Sequence, residues 1–113
     1  MQNLEIKNRR VSERVPVKFS LRLLDLYSNR YSVVQVQDIC TQGIGVLADE
    51  ELPPYTPLEM WLPILNKDES LHAKGEVVWS KMIEPNKYRT GIKLEEVDSM
   101  GIMQLIWGYI MAT

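Results

Sequence analysis

The sequence predicts an all-β fold with one helix: a six-stranded antiparallel β-barrel closed by a C-terminal α-helix. Three observations point there. Apolar and polar residues alternate with period two through most of the chain, as in strands with one face in a core. Turn-forming residues interrupt that alternation at short intervals, the pattern of small barrels made of hairpins. After Asp98 the apolar period lengthens to that of a helix.

In the first strand Val15, Val17, Phe19, Leu21 and Leu23 alternate with Pro16, Lys18, Ser20 and Arg22. Leu24 and Leu26 then break the phase around Asp25, which predicts a β-bulge near Leu23 and Leu24. Ser28, Asn29 and Arg30 turn the chain into a second strand, Tyr31 to Gln37. A third runs from Ile44 to Ala48 and stops at the acidic run Asp49 to Glu51 and the pair Pro53, Pro54. Leu58, Met60 and Leu62 alternate with Glu59 and Trp61 in a fourth, closed by Pro63. Leu71, Ala73, Gly75 and Val77 alternate with His72, Lys74 and Glu76 in a fifth. A hairpin loop over Glu84, Pro85, Asn86 and Lys87 leads into the sixth, Tyr88 to Glu95.

Asp98 suits a helix N-cap, and Ile102, Leu105, Ile106, Tyr109 and Ile110 recur at helical spacing. Met100, Met103, Trp107 and Met111 occupy much of the remaining circumference. One face therefore covers the barrel. The other forms a second apolar surface, suited to a homodimer or to an effector protein. The chain reads as one domain: an N-terminal arm over 1–14, expected to be flexible, a barrel over 15–97 and a helix over 98–113.

Composition narrows the function. With 45% apolar and 25% charged residues the chain is a folded globular protein. No apolar run approaches the ~20 residues of a membrane span, and the N-terminus has no signal-peptide pattern. Cys40 is the only cysteine, which rules out an internal disulfide, and with His72 alone it makes a poor metal site. A cytoplasmic location fits. Neither a catalytic set nor a phosphate-binding glycine loop is present, so a binding module is expected, not an enzyme. Lys7, Arg9, Arg10, Arg14, Lys18 and Arg22 crowd the start of a chain whose net charge is −2, opposed there by Glu5 and Glu13. Such a local cluster suits a small anionic ligand better than a nucleic-acid polymer, which wants a basic stripe. A solvated basic arm is the plain alternative.

Two motifs decide between these readings. The first is Arg9-Arg10-Val11-Ser12-Glu13-Arg14, before the first strand; the second is Asp38-Ile39-Cys40-Thr41-Gln42-Gly43, at the turn between the second and third strands. Together they resemble the paired signature of PilZ domains, an RxxxR loop followed one hairpin later by (D/N)xSxxG. The resemblance extends to Val15-Pro16-Val17, to Gly75-Glu76-Val77-Val78-Trp79, to Gly91-Ile92-Lys93-Leu94 and to the closing helix. It implies binding of the second messenger cyclic di-GMP, no further cofactor, and a protein contact that changes with ligand. An adaptor of the same fold with weak or no ligand binding is the alternative, but such proteins usually lack the arginines kept here.

The chemistry agrees with the resemblance. Arginine forks can bond phosphate oxygens or guanine O6 and N7, and can stack on a base. Asp38 can accept from guanine N1 and N2 hydrogens. Gly43 permits a positive φ or a close backbone approach; Asp38 and Gly43 could otherwise simply build a tight turn. The family usually has serine where Cys40 stands, and a thiol is the weaker donor. Trp79 continues the apolar register of its strand and suits the core, whereas the resemblance implies that it stacks on guanine. Gly91 falls within the matching segment. The residue before RxxxR influences stoichiometry in the family, and Arg9 is the cationic type associated with an intercalated pair of ligands. The expected binding residues are thus Arg9, Arg10, Arg14, Asp38, Cys40, Gly43, Trp79 and Gly91.

Overall fold

A computed structural model describes residues 14–112 of the chain. The strands are β1 (Val15–Asp25), β2 (Arg30–Cys40), β3 (Gly43–Ala48), β4 (Pro57–Pro63), β5 (Ser70–Glu84) and β6 (Lys87–Val97), followed by helix α1 (Ser99–Met111). They close into an antiparallel barrel in the order β1-β2-β3-β6-β5-β4. The predicted arm of residues 1–13, with Arg9 and Arg10, lies outside the described residues.

Alternation builds the core. Leu21, Leu23, Val34, Val36, Ile39, Ile44, Val46, Leu58, Met60, Leu62, Val77 and Ile92 are nearly or wholly buried in one cluster. Each such side chain removed from water stabilises the fold by roughly 1.5–3 kcal/mol. The turns are tighter than the sequence suggests. Only Pro85 and Asn86 separate β5 from β6, and Asn29, Asn66 and Asn86 adopt the left-handed backbone that asparagine tolerates.

The bulge is not at Leu23 and Leu24. Pairing of β1 with β2 runs without interruption from Phe19 to Asp25, and the shift falls between Pro16 and Phe19. Leu24 is buried but stands outside the core cluster, on the face opposite Leu23. On that outer face the Arg22 guanidinium lies 4.9 Å from the ring of Trp61 and 5.0 Å from that of Tyr31. A second covered face, not an extra residue, accounts for the broken alternation.

β4 pairs only with the Arg22–Asp25 end of β1, and α1 packs against β1. Ile102, Leu105 and Ile106 are buried in the core, Tyr109 stacks on Phe19 with ring centroids 4.7 Å apart, and its hydroxyl donates to the Pro63 carbonyl. Burial raises the Tyr109 pKa above its ordinary value. Asp98 occupies the N-cap, but its side chain makes no capping bond; its carbonyl accepts the Ile102 N–H instead.

The second apolar surface divides. Met100 and Met111 are 68% and 78% exposed and Met103 is 38% exposed, while Trp107 is half-buried against the barrel core. An aromatic ring at the edge of an apolar core gains more by covering it than by facing water. Trp107→Glu is therefore expected to lower stability by about 1–2 kcal/mol, read as an earlier midpoint in urea unfolding.

Candidate functional site

Four residues on four neighbouring strands stand in one lateral row. Asp38 of β2 pairs with Gly45 of β3, Gly45 with Gly91 of β6, and Gly91 with Trp79 of β5. The two glycines leave the middle of the row without side chains, and its ends fold over them. A Cβ on Gly45 would sit 2.6 Å from Asp38 Oδ1, and one on Gly91 would run into the Trp79 indole. A carboxylate and an aromatic plane thus flank a trough floored by backbone.

Both ends of the row are aimed by bulges. Val34 and Val36 point into the core, so strict alternation would send Asp38 inward too. Between Val36 and Asp38, however, β2 carries one residue more than β3, namely Gln37. The phase flips there: Ile39 is fully buried and Asp38 faces out. Likewise Ala73, Gly75 and Val77 face inward, but the extra residue Val78 between Val77 and Trp79 throws the indole outward. Bulges commonly re-aim a side chain in this way. Gln37 Oε1 is the buried side-chain atom left without a partner among the described residues.

Arg14, just before β1, closes the Asp38 end. Its Nε and a terminal nitrogen lie 2.7 and 2.6 Å from Asp38 Oδ1, and its other terminal nitrogen lies 3.7 Å from Cys40 Sγ. Arg89 of β6 donates to the second oxygen, Oδ2, at 3.2 Å. The carboxylate is mostly shielded, whereas both guanidinium side chains are about half exposed, which leaves them free to turn toward a ligand.

Of the residues expected to bind, Arg14, Asp38, Cys40, Gly43, Trp79 and Gly91 line a single open groove of about 350 Å³. That volume falls at the small end of the ~300–1,000 Å³ usual for ligand sites. Asp38 and Cys40 belong to β2 and Gly43 opens β3, leaving Thr41 and Gln42 as the turn. Gly43 does not adopt positive φ. It serves close approach: a Cβ there would stand 2.8 Å from the Ile92 carbonyl oxygen. Cys40 is 4% exposed with its thiol beneath Arg14, and Trp79, at 43% exposed, is not a core residue.

Sequence reading missed Gly45, Arg89 and Lys93. For the two cations the signal was available. Thr90, Ile92 and Leu94 are the buried side chains of β6, so Arg89, Gly91 and Lys93 share its outer face by period two. Once Gly91 is placed in the groove, the cations two residues either side follow it. The groove then holds three described cations, Arg14, Arg89 and Lys93, against one carboxylate, a balance that favours an anionic ligand. No cluster fit for a metal ion occurs among the described residues, and none of their helices is long and apolar enough to cross a membrane.

The model of the PilZ domain family matches residues 8–112. No curated protein matches the chain. Among solved structures, the Bacillus subtilis inhibitor of motility (MotI/DgrA) is similar at TM-score 0.70 and 12% identity, over 88% of this chain and 48% of that one. The chain thus spans about half the length of that protein. The PilZ domain of CeSA from a cellulose-synthesizing bacterium aligns at TM-score 0.64 and 12% identity, over 89% of this chain and 98% of that one.

Proposed function

Because this chain belongs to the PilZ domain family, we propose that it is a receptor for cyclic di-GMP that turns ligand occupancy into a changed protein–protein contact. The observation that carries the reading is the Asp38-Gly45-Gly91-Trp79 row with Arg14 clamped at its end. Each member has a matching part of the ligand. The Asp38 carboxylate accepts from the guanine N1–H and N2–H edge, which cations cannot do. The Trp79 plane offers a stacking surface, worth ~1–3 kcal/mol per base in related aromatic contacts. The arginines meet phosphate or the guanine O6 and N7 edge. The function is binding, and no reaction is assigned to it.

Calorimetry with cyclic di-GMP, with GTP and cyclic AMP as controls, tests the proposal. Saturable binding of cyclic di-GMP at least tenfold tighter than either control is expected. Equal affinity for all three, or no heat with any, would sink it. The same titration reads stoichiometry, where Arg9 leads us to propose an intercalated pair per chain.

Cys40 supplies a sharper check. Cys40→Ser is expected to hold or tighten affinity, by up to about tenfold, because a hydroxyl is a better hydrogen-bond partner than a thiol, by ~0.5–1.5 kcal/mol. A marked weakening would mean that the thiol fills space a hydroxyl leaves void.

The contact that responds to ligand is proposed to involve the exposed methionines of α1, Met100, Met103 and Met111, through a second copy of the chain or another protein. Sedimentation over a wide concentration range, with and without cyclic di-GMP, separates those two arrangements.

A further inference from the structure

We infer that Arg89 is a further ligand-contacting residue of this groove, one that exchanges Asp38 for a phosphodiester oxygen of the ligand. The inference rests on the cyclic di-GMP reading of the site. Asp38 accepts from Arg14 through two short contacts on Oδ1 and from Arg89 through a single 3.2 Å contact on Oδ2. A guanine edge presents two parallel donors and needs both carboxylate oxygens. Oδ2 carries the single longer contact, so Arg89 is the partner whose exchange costs the carboxylate least.

Its guanidinium then stands on the outer face of β6, two residues from Gly91 on the groove floor. It is about half exposed, and Asp38 is the one carboxylate lining the groove among the described residues. A displaced cation in that position is open to another anion, and the phosphodiester is what the ligand brings. The exchange leaves Arg89 paired throughout: a phosphate oxygen takes the place of the carboxylate oxygen at its guanidinium. Arg14, with the shorter contacts, keeps the carboxylate oriented in both states.

The test is a cycle of four full-length chains titrated with cyclic di-GMP: wild type, Arg89→Gln, Asp38→Asn and the double variant. Asparagine keeps an acceptor at position 38 but makes no ion pair with Arg89. Arg89→Gln is expected to weaken binding about tenfold in both backgrounds, because the lost contact is to the ligand. Should Asp38→Asn bind too weakly to titrate, salt decides: the affinity of Arg89→Gln should fall less steeply with KCl than that of wild type. Wild-type affinity in Arg89→Gln overturns the inference. So does a loss confined to the Asp38 background, or an unchanged salt dependence, either of which makes Arg89 only a positioning residue for Asp38. Thermal melts of each variant confirm that the fold is intact. Absence of binding by wild type would instead bring down the receptor reading, and this inference with it.

Discussion

Arg14→Ala is expected to weaken cyclic di-GMP binding about a hundredfold or more while the barrel stays folded. Arg14 makes two charge-assisted contacts to Asp38 Oδ1, at 2.6 and 2.7 Å, and reaches Cys40 Sγ with its third nitrogen. Among the described residues, alanine removes the cation nearest the carboxylate and leaves Asp38 the longer bond to Arg89. Hydrogen bonds to charged groups contribute ~1.5–3 kcal/mol each, and each ~1.4 kcal/mol is tenfold in affinity. Losing the direct ligand contact and the orientation of Asp38 together accounts for two decades. Arg14 precedes β1 and is exposed, so circular dichroism should be unchanged. Affinity within threefold of wild type would remove Arg14 from the site. Arg10→Ala probes the other arginine of the same motif.

Gly91→Ala is expected to cut affinity at least tenfold and to lower stability by about 1–3 kcal/mol, the usual cost of forcing an atom into occupied space. The added Cβ would meet the Trp79 indole at 2.5 Å or closer, so the ring must leave its place over the trough. That displacement removes the stacking plane and unpacks β5 from β6. A second substitution identifies the cause. In a Trp79→Ala chain the indole atoms nearest the methyl are gone, and the stability cost of Gly91→Ala should largely disappear. A cost that persists there would trace to the backbone of β6 and not to the indole.

The barrel was legible because its core rests on alternation, and alternation is local. Leu58, Met60 and Leu62 declare the inner face of β4 without reference to any neighbour. Bulges are a different matter, since an extra residue exists only relative to the strand alongside. Nothing within Val34 to Ile39 says that Gln37 is supernumerary; it becomes so when Val36 meets Val46 and Asp38 meets Gly45. For the same reason the register of Leu71 to Val77 wrongly suggested an inward Trp79, while Leu24 suggested a bulge where an outer face is merely covered. The motif residues Arg14, Asp38, Cys40 and Gly43 were legible by spacing, and the structure brings them together. Gly45 and Arg89 belong to no motif. They enter through cross-strand pairing, and only for Arg89 did a one-strand rule offer the means to find it.

The two bulges bear on how such a site is gained and lost over evolutionary time. Substituting Asp38 or Trp79 removes one functional group and leaves the rest of the groove standing. Inserting a single residue in the strand alongside, between Gly45 and Val46 or between Gly91 and Ile92, changes no named binding residue, yet it gives Gln37 or Val78 a partner, restores strict alternation and sends the carboxylate or the indole toward the core. A lineage can therefore retain every letter of both motifs and still lack the trough. Relatives of this chain are better sorted by whether Val36 to Asp38 still spans one residue more than Gly45 to Val46, and Val77 to Trp79 one more than Gly91 to Ile92, than by whether the motif letters survive.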